Sequence, residues 1–364
     1  MQRIIPTILC TLLIGCTAPP SPAVEGEVVP PATRNAEPVL PSDEVVMDLP
    51  SLPKLSRAPE LTGLDPWHNS DPLTLAELRG KVVLVDFWTY SCINCIRTFP
   101  ALRGYYEKFQ DQPFVLLGVH APEFAFEKLE SNVADAIKRN NLNWPIAQDN
   151  DFQTWRAFAN RYWPAKYLVD AEGYIRYTHF GEGEYEETDL AIQSLLAEIG
   201  ASVVSDNMPE EEEVSRRNRS PEIYLGSRSW PALGNPSTSS GGPGSVLPTD
   251  EVVTYEAPGS LTLNKYYLSG EWQMRDQERQ VLLSDEGTIR IKFLGSEMNL
   301  VLGLEEGTDT VDADIEVNGE HTQSFNVDKN ELFNLYSGEY GEHEVILRLH
   351  GKGVAGYAFT FGAN

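Results

Sequence analysis

Cys92-Ile93-Asn94-Cys95 places two thiols three residues apart. A two-residue spacer lets the sulfurs meet, so the pair can cycle between dithiol and disulfide. One thiolate attacks a substrate disulfide, and the second resolves the mixed disulfide and releases reduced substrate. The same spacing is half of a zinc site, but tetrahedral zinc takes about four ligands. The only other cysteines, Cys10 and Cys16, stand near the start of the chain, and six histidines are scattered along it. Dithiol chemistry is therefore the stronger reading.

A nucleophilic thiol needs something that stabilises its thiolate, and the surrounding sequence provides it. Val82 to Trp88 is an apolar run interrupted only by Asp86, which suits a strand buried on both faces. From Cys92 to Phe109, the residues Ile93, Ile96, Phe99, Leu102, Tyr106 and Phe109 recur at threes and fours, the period of a helix. Cys92 thus stands at a helix N-terminus, where unpaired N–H groups and the helix dipole favour an anion. It is the expected nucleophile, and Cys95, one turn deeper on the same side, the resolving thiol. Further along, the patterns predict a strand at 114–119, a helix at 126–140, a short apolar segment at Ile146-Ala147 and a helix around 152–160. Strands at 166–170 and 174–180 and a helix at 187–199 follow. Strand, helix, strand, helix implies an α/β domain with a parallel sheet core.

The segment 73–200 resembles the thioredoxin superfamily, and within it the exported TlpA/ResA-like oxidoreductases. Gly80-Lys81-Val82-Val83-Leu84-Val85-Asp86-Phe87-Trp88 looks like the family's strand leading to the active site. The resemblance implies that Asp86, six residues before Cys92, is the buried acid. A desolvated carboxylate has a raised pKa and can take the proton of Cys95 during exchange; a structural hydrogen bond is the bland alternative. Pro100 matches the family's helix-kinking proline, and Trp163-Pro164-Ala165 its cis-proline loop facing the cysteines, with Pro164 as the cis residue. Glu123 matches a loop acid near the cysteines, against the equal alternative of a solvated glutamate. Trp88, Tyr90 and Trp163 are candidates to wall the site or to grip substrate, packing being the simpler role. No cofactor is implied beyond the redox-active Cys92–Cys95 disulfide.

The whole chain is closer still to the extracytoplasmic C-terminal part of DipZ-type proteins, where a TlpA-like domain precedes a β-sandwich resembling carbohydrate-binding modules. That resemblance rests on Phe87 to Cys95, Gly118 to Phe124, Tyr162 to Ala165 and Ser220 to Gly226. DipZ-type proteins also carry a membrane-embedded electron-transfer domain, whereas this sequence has no transmembrane run after residue 15. A separate membrane electron donor of the cytochrome c biogenesis type is then expected if the enzyme is a reductant.

With 28 Lys+Arg against 54 Asp+Glu, the net charge of -26 excludes nucleic-acid binding as the main function, since a phosphate backbone needs a basic face. The 41% hydrophobic and 23% charged composition is globular, and 364 residues allow about two domains. Residues 1–15 read as an export signal: Arg3 precedes an apolar stretch from Ile4 to Gly15, shorter than the ~20 residues a membrane-spanning helix needs. It ends on Leu13-Ile14-Gly15-Cys16, which resembles a bacterial lipobox, so Cys16 is the expected lipidation site. An ordinary signal peptide with a fortuitous cysteine is the alternative. The lipid is then the only membrane contact, holding the protein in the cell envelope facing the periplasm, at the outer membrane if the cell is Gram-negative.

The expected organisation is a Pro-rich tether at 16–57, a thioredoxin-like α/β domain at 58–200 with a central mixed sheet and flanking helices, an acidic linker at 201–220 and an all-β sandwich at 221–364. In the last segment, strands are expected at 289–294, 300–304, 311–317 and 344–349. Asn318-Gly319 is a strong hairpin signal, and Ser337-Gly338 a further turn. Tyr224, Trp230, Tyr266, Tyr267, Trp272, Tyr336 and Tyr357 suggest sugar stacking, although aromatic residues more often fill a strand core. The reading is thus an exported, membrane-anchored thiol-disulfide oxidoreductase acting on protein thiols and disulfides, with a glycan as a possible ligand of the β domain. The competing reading is a recruitment lipoprotein whose β domain binds glycan or protein beside a non-catalytic redox-like domain. Retention of exchange by residues 58–205 alone is the expectation that separates them.

Overall fold

A computed structural model describes residues 49–202, 217–235 and 251–363. The signal, Cys10, Cys16, most of the tether, the acidic run at 210–213 and residues 236–250 lie outside the described residues.

The N-terminal part is a seven-stranded mixed sheet. Its strands are β1 (Ser56–Arg57), β2 (Trp67–His68), β3 (Val82–Trp88), β4 (Phe114–His120), β5 (Ile146–Gln148), β6 (Ala165–Val169) and β7 (Tyr174–Phe180). They run in the order β1-β7-β6-β3-β4-β5-β2. Central β3 is buried throughout, as its apolar run implies. It pairs in parallel with β4 and antiparallel with β6, in a register that sets Asp86 opposite Lys166 and Phe87 opposite Ala165. The start of β6, just after Pro164, therefore lies beside the end of β3, just before the cysteines, and the two loops must meet there.

Helix α1 (Ile93–Phe109) follows β3 and buries Cys95, Thr98, Phe99, Ala101, Leu102, Tyr105 and Phe109 on one face. Pro100 lies inside it and leaves one helical hydrogen bond unmade. The single helix expected at 126–140 is instead a 3-10 turn, Ala125–Lys128, and then α2 (Glu130–Arg139), with Leu129 extended between them. The division has a local cause: Glu127 turns its carboxylate back to the Phe124 N–H, 2.9 Å away, which caps one isolated turn. Helices α3 (Gln153–Ala157) and α4 (Tyr185–Glu198) complete this part.

The C-terminal part is all β, forming a small barrel with extra strands. It comprises β8 (Ile223–Tyr224), β9 (Val252–Tyr255), β10 (Lys265–Met274), β11 (Gln280–Leu282), β12 (Gly287–Leu304), β13 (Val311–Val317), β14 (Glu320–Val327), β15 (Glu331–His350) and β16 (Val354–Gly362). The ring β10-β11-β16-β12 closes because one long strand serves two neighbours: β12 pairs with β10 over 288–292 and with β16 over 297–304. The two strands expected at 289–294 and 300–304 are thus one. Register shifts against β15 at Gly295/Glu297 and Met298/Asn299 bend it without ending it. Ser337-Gly338 likewise belongs to such an irregularity inside β15 and makes no turn. Asn318-Gly319 does form the β13–β14 hairpin, both residues having positive φ (52° and 88°).

The two parts share a core. Tyr224, Val281, Val301, Ala355, Tyr357 and Ala358 of the β region belong to the same buried cluster as Trp88, Tyr90, Cys95, Phe124 and Phe126. The Tyr357 ring lies 5.0 Å from Phe124 and 4.9 Å from Phe126. Polar ties frame the contact: Tyr90 donates to the Asn330 carbonyl at 3.2 Å, and Arg97–Glu297 and Arg139–Glu331 form ion pairs. No helix among the described residues is long and apolar enough to cross a membrane.

Candidate active site around Cys92 and Cys95

Both thiols are unpaired; Cys92 is partly exposed and Cys95 fully buried. Cys92 is the N-cap of α1, and its sulfur accepts the Cys95 backbone N–H at 3.3 Å. One of the helix's free donors thereby points at the sulfur, which favours the anion. Burial holds the Cys95 thiol well above its ordinary range, reinforced by the hydrogen bond and charge of Cys92 and, further off, by Asp86. The outer sulfur is thus the accessible one and the inner sulfur is kept protonated.

Asp86 is 1% exposed, and burial pushes its carboxyl up to about 6 against the opposing pull of Lys166. Lys166 Nζ, also fully buried, lies 3.7 Å from Asp86 Oδ1, close enough for charge attraction and too far for a hydrogen bond. Sequence reading missed Lys166. A lone lysine in an apolar strand was a signal, but its partner depends on the β3–β6 register.

The Trp163–Pro164 peptide bond is cis. Trp163 donates its indole N–H to the Ala121 carbonyl at 3.0 Å and packs 4.3 Å from Trp155. This fastens the Pro164 loop to the loop after β4. Trp88 and Tyr90 are buried at 1% and 4% and pack on His120, Trp88 edge-on and Tyr90 stacked; burial lowers His120 to about 3, so its ring is neutral at neutral pH. Neither aromatic presents a face for gripping substrate, which corrects that part of the expectation; both are packing.

Glu127 is a second residue that sequence reading missed. Fully buried, it accepts from the Ser91 hydroxyl (2.6 Å), the Ser91 N–H (3.3 Å), the Glu123 N–H (2.5 Å) and the Phe124 N–H (2.9 Å). It clamps the residue before Cys92 to the loop that carries Glu123. Replacing it with Ala leaves buried donors unsatisfied, so Glu127→Ala is expected to destabilise the protein by about 3 kcal/mol in a urea melt. Glu127→Gln, which retains one acceptor, should lose less; an unchanged melt for Glu127→Ala refutes the clamp.

Glu123 is drawn toward the β region. Its carboxylate contacts the Tyr224 hydroxyl and lies 3.6 Å from Arg228. A narrow cavity of about 20 Å3 lies between the two parts, lined by Cys92, Glu123, Glu222, Val301, Ala358 and Thr360 among others. Glu222 and the role of Tyr224 were invisible in sequence, although Ser220 to Gly226 carried the family resemblance. Of the aromatics considered for sugar stacking, Tyr224, Tyr266, Tyr267, Trp272 and Tyr357 are at most 5% exposed, so burial removes them as a stacking surface. Tyr336 is partly exposed, and the Trp230 side chain is outside the described residues.

Residues 56–178 match the AhpC/TSA family, and residues 220–362 the family described as thioredoxin like C-terminal domain. The chain is 33% identical over 313 residues to Protein DipZ of Mycobacterium tuberculosis, a match covering 84% of this chain and 43% of DipZ. It therefore spans less than half the length of that relative. It is 31% identical to Thiol-disulfide oxidoreductase YkuV of Bacillus subtilis over 38% of this chain and 94% of YkuV. Thiol-disulfide oxidoreductase ResA of the same organism is 27% identical over 29% of this chain and 57% of ResA. With Cys92 capping α1 and Cys95 buried one turn further in, and with nearly the whole of YkuV matched at 31% identity, the chain belongs to the thioredoxin-like thiol-disulfide oxidoreductases.

Proposed function

We propose that the protein is an exported, lipid-anchored enzyme of the bacterial envelope that maintains protein thiols or reduces disulfides in a cytochrome c maturation-like pathway. In this reading, Cys92 is the nucleophile, Cys95 the resolving thiol, Asp86 the proton acceptor for Cys95, and the loop of Trp163 and Pro164 the rest for the substrate backbone. The observation that carries it is the asymmetry of the thiols: Cys92 is accessible and receives a helix N–H, while Cys95 is buried behind it over an ionisable acid. Residues 58–200 act as the redox domain and 221–364 as its partner domain, joined by 201–220. Cys16 carries the lipid, and a membrane reductase of the cytochrome c biogenesis type supplies the electrons.

The test is a redox titration of the full chain in glutathione buffers, with free thiols trapped by alkylation. A potential near the thioredoxin value of about -270 mV supports a reductant fed by a membrane donor; one near about -120 mV makes the protein an oxidant and overturns the reductive assignment. In cells, Cys16→Ala is expected to move the protein from the membrane to the soluble fraction. Unchanged partitioning refutes the lipid anchor.

A further inference from the structure

The thiol chemistry leaves unused the group that the β region brings to Cys92. Glu123 follows β4, Glu222 immediately precedes β8, and Tyr224 lies within β8. The Tyr224 hydroxyl is within hydrogen-bond reach of Glu123 Oε1 and, at 3.1 Å, of Glu222 Oε2. A phenol carries one proton and an ionised carboxylate none. Tyr224 can donate to only one of the two, so the second contact is a hydrogen bond only if the other carboxyl is protonated and donates to the phenol oxygen. The convergence of two carboxyls on one phenol is a geometry that a proton held by the pair would satisfy. The Glu123 side chain is 14% exposed; Glu222 is more open as a residue, but its side chain reaches the same cavity as Cys92.

We propose that Glu123 and Glu222, bridged by Tyr224, hold one proton between them, and that Glu123 gives it to the thiolate expelled when Cys92 attacks a disulfide. Tyr224 and Glu222 act through Glu123 as positioning residues, so the β region completes the redox site. The inference rests on the exchange chemistry of Cys92. In the first step, the Cys92 sulfur forms a bond to one substrate sulfur, the substrate S–S bond breaks, and the expelled sulfur leaves with the electron pair and takes the proton of the carboxyl pair. The pair recovers a proton from water. In the second step, Cys95 loses its proton to Asp86 and attacks the Cys92 sulfur, which closes the Cys92–Cys95 disulfide and releases the second substrate sulfur. Two electrons pass from the dithiol to the substrate. In the oxidising direction, the same pair accepts the proton of the incoming thiol.

The charged groups around Glu123 agree with a retained proton. Glu222 and Glu127 act on it as like charges; Arg228, over the Tyr224 ring at 4.1 Å, is the opposing cation and interacts with Glu278 as well. Burial, then Glu222, push Glu123 up to about 8, and burial also raises Glu222.

The test compares two disulfides on the full chain carrying Cys95→Ser, so that only the first step is seen. Oxidised glutathione expels a basic thiolate that benefits from a proton; Ellman's disulfide expels a weakly basic one that does not. The ratio of the two rate constants cancels the thiolate fraction of Cys92. That ratio is expected to fall as pH rises through about 8, where the pair loses its proton. Glu222→Gln removes the like charge and moves the fall to lower pH, and Glu123→Gln makes the ratio flat and low, by roughly a hundredfold at neutral pH. A pH-independent ratio in the parent, or a Glu222→Gln profile superimposed on it, overturns the proposal. Reaction with Ellman's disulfide alone shows that each variant is folded and its Cys92 competent. Loss of reaction with both reagents in the parent would instead defeat the exchange reading itself.

Discussion

Cys95→Ser is expected to turn the enzyme into a trap. A substrate disulfide should accumulate as a one-to-one adduct on Cys92, visible by mass spectrometry and dispersed by dithiothreitol, while turnover falls to the uncatalysed level. Cys92→Ser should lose turnover equally and form no adduct, because the remaining sulfur is 0% exposed. The reverse pattern would exchange the two roles. Between these extremes lies the proton of Cys95, held on chiefly by burial. Asp86 can take that proton only when ionised. Its carboxyl titrates near 6, so resolution should slow as pH falls through about 6. Asp86→Asn should slow resolution roughly a hundredfold at neutral pH and leave the alkylation of Cys92 intact. Lys166 draws Asp86 downward, so Lys166→Met should move the same acid limb to higher pH. Single-turnover quench at several pH values reads all three.

What could be read from sequence divides by range. The β3 run, the α1 stripe and the thiols at its head are local patterns, and burial on both faces of β3 follows from them. The Asn318-Gly319 hairpin is also local, since the turn residues themselves need the left-handed conformation. Errors begin where a local signal serves a distant contact. Gly295-Ser296 suggests an interruption between two strands, yet flanking pairs to β10 and β16 hold a single bent strand through it. Glu127 falls on a helical pattern, but its carboxylate is committed to Ser91, 36 residues earlier. Tyr224 and Tyr357 are core of a kind composition cannot specify, buried against the redox domain and not exposed as a sugar platform. The thiols, Asp86 and the Trp163-Pro164 loop each stand in a local motif that the sequence displays. The half of the site contributed by the β region does not, because it depends on contacts about a hundred residues apart, such as Tyr224 with Glu123.

That half bears on what residues 58–205 can do alone, and here the structure points away from the sequence-based expectation of an autonomous domain. Cutting the chain there strips Tyr357 from Phe124 and Phe126, the Asn330 carbonyl from Tyr90, Glu297 from Arg97 and Glu331 from Arg139. Tyr90, Phe124 and Phe126 are now buried at 4%, 2% and 7%, and newly exposed apolar side chains each cost up to about 1.5–3 kcal/mol. A loss of several kcal/mol is comparable to the whole stability of a domain, about 5–15 kcal/mol. The fragment is therefore expected to melt at markedly lower temperature than the full chain, bind a hydrophobic dye and lose most of its exchange activity. Full-chain Tyr357→Ala offers the same test without a cut: it removes the ring between Phe124 and Phe126 but keeps the β region attached. It should lower the melting temperature and weaken exchange less than truncation does. If instead the fragment melts and exchanges like the full chain, the shared core is a contact of convenience. Glu222 and Tyr224 would then be dispensable as well, because the cut removes them with the rest of the β region.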